Sequence, residues 1–198
     1  MVKLTKNELK VQKDQLKRFR RYLPTLQLKK QQLQLVIRQV EQAVRQKEVE
    51  RQELRESLDT WIHVFADGVH PAELIQLREV DTDTGNIAGV DIPVFRSARF
   101  DVDDYSLFET PLWLDEGIEA LKRMISLDTE IRVLQRQIEL LSEELRITSQ
   151  RVNLFEKIKI PETKENIRVI SIYLGDQQTA AVVRGKIAKN KVQEGDVA

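Results

Sequence analysis

The amino-acid sequence predicts a mainly α-helical protein, a long antiparallel two-helix coiled coil with a small β-hairpin insert between its helices. Three observations lead there. Two long stretches repeat apolar residues at alternate spacings of three and four, the stretch between them holds half of the glycine and proline, three of each, and charge is polarised along the chain.

The first repeat runs Leu9, Gln12, Leu16, Phe19, Leu23, Leu26, Lys30, Leu33, Ile37, Val40, Val44, Lys47, Arg51, Leu54, Leu58, Trp61. A 3.5-residue period held this long keeps one narrow stripe turned toward a partner helix, the signature of a left-handed coiled coil. The second runs Trp113, Gly117, Ala120, Met124, Leu127, Ile131, Leu134, Ile138, Leu141, Leu145, Thr148, Val152, Phe155. Burying an aliphatic or aromatic side chain is worth roughly 1.5–3 kcal/mol, so neither stripe stays in water, and the nearest cover for each is the other, folded back as a hairpin. A compact helical bundle is the competing arrangement. It needs breaks that the first run lacks, since Pro24 is the one glycine or proline from Val2 to Ala66.

Pro24 removes an amide donor, yet the apolar phase continues through it, so it reads as a local kink. Pro161 is similar, with Ile167, Ile170 and Leu174 resuming a helical spacing. Setting Trp61 opposite Trp113 pairs residue i with residue 174 − i and leaves everything after Leu174 without a partner in the first helix.

The insert reads as two strands, Leu74 to Val80 and Ile87 to Phe95, around the turn formers Asp81-Thr82-Asp83-Thr84-Gly85-Asn86. Seven of the eleven aromatic residues lie from Trp61 to Trp113. Trp61, Phe65, Phe95, Phe100, Tyr105, Phe108 and Trp113 are expected to form a small core seating the hairpin on the helices. The segments are therefore an N-terminal coiled-coil helix over 1–66, an acidic insert over 67–112, and a C-terminal helix with an overhanging tail over 113–198.

The chain has 32 basic and 32 acidic side chains and no cysteine. No disulfide, thiolate metal site or cysteine nucleophile is possible. The start shows no signal-peptide core, and the longest apolar run, Ala180 to Val183, is far below the roughly 20 residues of a membrane span. A soluble protein is expected. Asp81, Asp83 and Gly85 suggest a calcium loop, but Asn86 and Ile92 stand where that loop needs glycine and a bidentate acid. Gly85 and Gly89 are not followed by the Gly-Lys-Ser/Thr of a phosphate-binding loop, and neither a Gly-x-Ser-x-Gly elbow nor a His-Glu-x-x-His pair occurs. A metal pair of histidines would have to use both His63 and His70; His63 reads as structural. No catalytic residue, cofactor site or metal site is expected.

Charge is more informative. Residues 1–40 hold eleven Lys/Arg against two Asp/Glu, and residues 61–112 hold three against ten. The basic face of Lys10, Lys13, Lys17, Arg18, Arg20, Arg21, Lys29 and Lys30 either solvates a long helix or attracts an acidic partner. Nucleic acid is disfavoured, because only Phe19 and Tyr22 interleave with these residues as base-stacking aromatics.

Three stretches together resemble a known family. They are the basic start from Leu4-Thr5-Lys6, the insert segment Asn86-Ile87-Ala88-Gly89-Val90-Asp91-Ile92-Pro93, and Arg151-Val152-Asn153-Leu154-Phe155-Glu156-Lys157 leading to Ile160-Pro161 and Asn166-Ile167-Arg168. The chain resembles the D subunit of V-type and A-type rotary ATPases over most of its length. The tail departs from the pattern, because Gly175 to Val183 is uncharged apart from Asp176. The resemblance implies a non-catalytic central-stalk rotor subunit that couples ATP hydrolysis or synthesis to proton or sodium transport. Its implied partners are the catalytic and regulatory subunits of the hexamer, the F subunit, and a funnel-shaped subunit above the membrane ring. No nucleic acid and no membrane span of its own are expected. Its implied location is cytoplasmic, peripheral to the membrane within a larger complex.

Under that reading Lys10, Lys13, Lys17, Arg18, Arg20 and Arg21 contact the ring, while Asn86, Gly89, Asp91 and Pro93 meet the F subunit or modulate hydrolysis. Leu16, Phe19, Leu23, Leu33, Ile37, Val40, Leu134, Ile138, Leu141, Leu145, Val152 and Phe155 form the seam. The alternative is a non-rotary structural coiled-coil hairpin, such as an export-apparatus stalk or a chaperone-like protein.

Overall fold

The computed structural model describes residues 2–59, 74–105 and 113–195. Trp61, Phe65 and Phe108 of the expected aromatic core, and both His63 and His70, lie outside the described residues, as does the Trp61–Trp113 pairing. The elements are α1 (Lys6–Asp59), β1 (Ile75–Ile87), β2 (Val90–Val102), α2 (Leu114–Asn153), a π-helical segment (Leu154–Lys159) and α3 (Ile160–Gly195). The Thr5 hydroxyl accepts the Glu8 amide at 3.2 Å, which satisfies one of the unpaired donors at the start of α1. Pro24 sits on the exposed side of α1, and the helix continues through it.

The chain divides into two compact units, one of Met1–Leu28 with Thr148–Ala198 and one of Lys29–Ile147. In the second unit α1 and α2 run antiparallel. Lys29 meets Glu144 at 2.6 Å, Lys47 meets Glu130 at 3.2 Å and Arg51 meets Asp128 at 2.8 Å, so rising numbers on one helix meet falling numbers on the other. Between them Leu33, Ile37, Val40 and Leu141 form a buried cluster with Ile92 of β2, and Leu134, Ile138 and Leu145 pack against it half-buried. The cations Lys47 and Arg51 occupy stripe positions because each finds an acid on α2. Partly exposed pairs of this kind contribute only about 0–1 kcal/mol each, so the apolar cluster dominates the stability.

The hairpin is antiparallel and runs from Ile87 opposite Val90 to Ile75 opposite Val102, with register shifts between Asp81 and Thr82 and between Leu77 and Glu79. Its turn corrects the sequence reading. Asp81 to Asn86 is not a turn but strand, paired with Ser97 to Asp91, and the chain reverses at Ala88-Gly89. Both turn residues have positive φ, 52° and 78°, the geometry whose twist matches that of the flanking strands. Asn86 closes the turn by accepting the Gly89 amide at 3.2 Å and donating to Asp91 Oδ1 at 2.6 Å. Within the polar run two side chains, Asp83 and Asn86, find partners in this geometry. Asp83 pairs with Arg96 across the strands and accepts the Thr84 amide at 2.8 Å.

The hairpin packs along α2. At its base Ile75 is buried with Leu114 and Ile118, flanked by Phe100, Val102, Tyr105, Trp113, Leu121 and Ile125. The Tyr105 hydroxyl donates to Asp115 at 2.5 Å. At its tip Ile92 enters the α1–α2 cluster, and the Gln137 amide donates to the Pro93 carbonyl at 2.5 Å. Helix α2 therefore carries two apolar stripes. Leu114, Ile118, Leu121 and Ile125 each follow a position of the coiled-coil stripe by one residue, or 100° of helix.

In the first unit α1 pairs with the end of α2, the π-helical segment and α3. Phe19 and Phe155 stack with ring centroids 5.3 Å apart, Leu16 and Leu23 are half-buried, and Val152 is buried. Buried Gln12 donates to Glu8 at 2.8 Å and accepts from Asn166 at 3.5 Å. The Ile160 amide donates to the Phe155 carbonyl, five residues back instead of four. That wide turn precedes Pro161, whose ring in a regular α-helix would crowd the Lys157 carbonyl. It also moves the stripe. An unbroken alternation from Phe155 would bring Glu162, Asn166, Val169 and Tyr173 inward, whereas Thr163 and Ile170 are buried, Asn166, Ile167 and Leu174 half-buried, and Glu162, Val169 and Tyr173 exposed. Beyond Leu174 the chain stays helical to Gly195, and residues 175–190 are exposed throughout.

Candidate functional site

Two surfaces hold the sequence-derived contact residues, one in each unit. In the first unit Lys10, Lys13, Lys17, Arg18, Arg20 and Arg21 are all exposed. Helix geometry dictates this, because Lys10, Lys13, Lys17 and Arg20 each follow a buried or half-buried stripe residue (Leu9, Gln12, Leu16, Phe19) by one position, which turns them about 100° away from the partner helix. Among the described residues no ion pair involves any of the six, whereas Lys159, the last residue of the π-helical segment, is paired with Glu162 of α3, and Arg168 with Glu165 within α3. Six cations on about three turns of helix without acidic partners leave a local positive field.

Lys29 and Lys30, counted with these in sequence, are placed differently. Lys29 is engaged by Glu144 and Lys30 is half-buried on the stripe, so neither belongs to the free basic face.

In the second unit the hairpin tip gathers Asn86, Gly89 and Asp91 through the turn hydrogen bonds. Pro93 lies apart from them in its contacts, since its carbonyl is taken by Gln137 of α2. The outer face of the hairpin carries the cross-strand pairs Arg78–Asp101 at 3.4 Å, Arg99–Glu79 at 3.5 Å and Arg96–Asp83. The hydrogen bond from Arg96 holds the Asp83 carboxyl below its ordinary range, with the Thr84 amide adding to the effect. Near its N-terminus α2 also borders an open groove of about 690 Å³, lined by Glu50, Glu53, Glu130, Lys122, Arg123 and Phe100 among others. Among the described residues no cluster of His, Cys, Asp or Glu is placed to hold a metal ion. No described helix is long and apolar enough to cross a membrane.

What these surfaces offer is recognition by charge and shape. Comparison with known proteins gives that arrangement a family. The family model for the D subunit of ATP synthase matches residues 8–190, from the start of the basic face to the exposed tail. The chain belongs to the ATP synthase D-subunit family. The D subunit of the V-type ATP synthase of Borreliella burgdorferi is 54% identical over 96% of this chain and 95% of its own length. Proteins of the same name from Chlamydia pneumoniae and Chlamydia trachomatis serovar A are each 34% identical, covering 97% and 98% of this chain and 93% and 97% of their own.

Within this member of the D-subunit family, sequence reasoning missed Leu114, Ile118, Leu121, Ile125 and Gln137, the α2 residues that seat the hairpin. The signal was present as a second apolar stripe one residue behind the first. It also missed Ala88, for which no turn-forming side chain gave notice.

Proposed function

We propose that this chain is a non-catalytic central rotor-stalk subunit of a V-type ATP synthase, coupling ATP hydrolysis or synthesis in a catalytic hexamer to proton or sodium transport by rotation. The observation that carries the reading is the family match across residues 8–190. The local structure supplies what the role requires. Paired antiparallel helices in each unit resist twisting better than single helices, because turning one against the other disrupts the interdigitated seam.

The unpaired cations Lys10, Lys13, Lys17, Arg18, Arg20 and Arg21 suit an acidic lining of the catalytic and regulatory subunits. A charged bearing attracts without demanding one fixed set of contacts, which a turning surface needs. The helix over residues 175–190, exposed along its length, is a further contact surface. The hairpin tip around Asn86, Gly89 and Asp91, held on α2 by Gln137 and Ile92, is a contact for the F subunit. A funnel-shaped subunit above the membrane ring completes the path to the membrane, at which the complex is peripheral on its cytoplasmic side.

Affinity purification of the tagged chain from its native host, read by mass spectrometry, tests this. Recovery of the catalytic and regulatory ATPase subunits is expected; recovery of other partners in their place would refute the assignment and favour a non-rotary coiled coil. Replacing the six cations by glutamate is expected to abolish that recovery while the isolated chain remains helical. Unchanged recovery with unchanged salt dependence would sink the electrostatic bearing.

A further inference from the structure

We infer that the π-helical segment Leu154–Lys159 is a register joint, a place where the C-terminal helix holds one extra residue and can release it, turning residues 160–174 by one position against α1. The joint lies wholly within the first unit, and the inference stands independently of any rotary role.

The extra residue is visible in the hydrogen bonding. Ile160 donates to Phe155, five residues back, and the helix resumes its α pattern from Ile160. One added residue turns everything after it by about 100° relative to the upstream stripe. Upstream, Thr148 and Val152 are buried; downstream, Thr163 and Ile170 are buried, one position later than the upstream phase prescribes.

The sequence supports both phases at the far end. With the extra residue the last levels of the seam are Ile167, Ile170 and Leu174. Without it they are Asn166, Val169 and Tyr173, and the last two are large apolar residues now 42% and 39% exposed. Either phase fills the final two levels of the seam, so those levels do not choose between them. The choice is made nearer the joint. Thr163, buried with its hydroxyl donating to the Lys159 carbonyl at 2.6 Å, would be replaced inside by Glu162, and Pro161 would be forced into a regular α ladder that it cannot complete. Pro161 is the decisive restraint, because a charged residue at an inward position can still reach water with its head group, as the half-buried Lys30, Lys47 and Arg51 of the α1 stripe do, whereas the ring of Pro161 has no such relief.

The absence of cysteine makes the test direct. Single-cysteine chains Val169→Cys and Ile170→Cys are labelled with iodoacetamide under native conditions. The exposed position 169 is expected to react at least about ten times faster than the buried position 170, because a buried thiol reacts only through local opening. Adding Pro161→Ala is expected to bring this ratio to one or below. Deleting Lys157 as well removes the surplus residue, and the original ratio is expected to return.

A ratio that Pro161→Ala leaves unchanged would show that seam packing alone fixes the wide turn, and would overturn the inference. So would failure of the deletion to restore the ratio. A Pro161→Ala chain that loses its helical circular dichroism counts against it equally, since a register joint requires both phases to be folded.

Discussion

Replacing Ile92 by alanine tests how the hairpin is held. Ile92 is 3% exposed, at the point where β2 enters the cluster of Leu33, Ile37, Val40 and Leu141. The change removes three carbons, worth about 2.4 kcal/mol at about 0.8 kcal/mol for each buried CH₂. The void left, roughly 80 Å³ before relaxation, adds up to about 2 kcal/mol at roughly 24 cal/mol per Å³. The hairpin has a free outer face, so the site closes in part and about half of that second contribution survives. The expected loss is about 3.5 kcal/mol, inside the range of about 2–5 kcal/mol typical of such truncations. Ile92→Val should cost about 1 kcal/mol. Val94→Ala, at a residue 39% exposed on the same strand, should cost less than about 0.5 kcal/mol. Urea unfolding followed by tryptophan fluorescence reads these differences, because Trp113 packs at the hairpin base. A loss below about 1 kcal/mol for Ile92→Ala, or equal losses at positions 92 and 94, would refute the seating of the tip in the seam.

Three further outcomes follow from the same geometry. The Asp83 carboxyl, held low by Arg96 and the Thr84 amide, should titrate below an ordinary aspartate by NMR; its stabilising effect is complete above the unfolded carboxylate range and lost as pH falls through the lowered value, and Arg96→Gln should return the midpoint toward the ordinary value. Ala88 holds a left-handed conformation at φ 52°, which costs an L-residue roughly 1–2 kcal/mol, so Ala88→Gly should stabilise the chain by up to about 1 kcal/mol in the same urea assay, and Ala88→Val should destabilise it. Truncation after Leu174 removes a helix exposed over residues 175–190, so the unfolding midpoint should hold while helical circular dichroism falls and recovery of the ATPase subunits weakens.

Much of the fold was legible because a coiled coil writes itself in one dimension. Every described position of the first stripe, from Leu9 to Leu58, is buried or half-buried, including polar Gln12 and the cations Lys30, Lys47 and Arg51. The hairpin was legible as an insert but not in its ends. Asp, Thr, Gly and Asn in a row normally mark a reversal, whereas here they continue the ladder opposite Ser97 to Asp91, with Asp83 also paired to Arg96 on the facing strand. The true reversal uses Ala88, which carries no turn signal, and Gly89. The six cations from Lys10 to Arg21 could be placed on an outer face from spacing alone. That Lys29 is tied to Glu144 could not, because the pairing depends on a residue 115 positions away.

That separation has a consequence for the chain during synthesis. At about 5–20 residues per second, the α1 segment around Lys29 waits roughly 6–23 s for the α2 residues that will cover it. Throughout that interval its apolar stripe is open to a neighbouring copy on the same messenger. Lys47 and Arg51 guard against that error. Set against a second, parallel α1 they face their own like charges at the same level, with Lys47 sharing Glu50 of its own helix, whereas Glu130 and Asp128 meet both cations when α2 arrives on the same polypeptide. Two cations that contribute little to the finished structure thus steer the helix toward its own later half and away from its sisters.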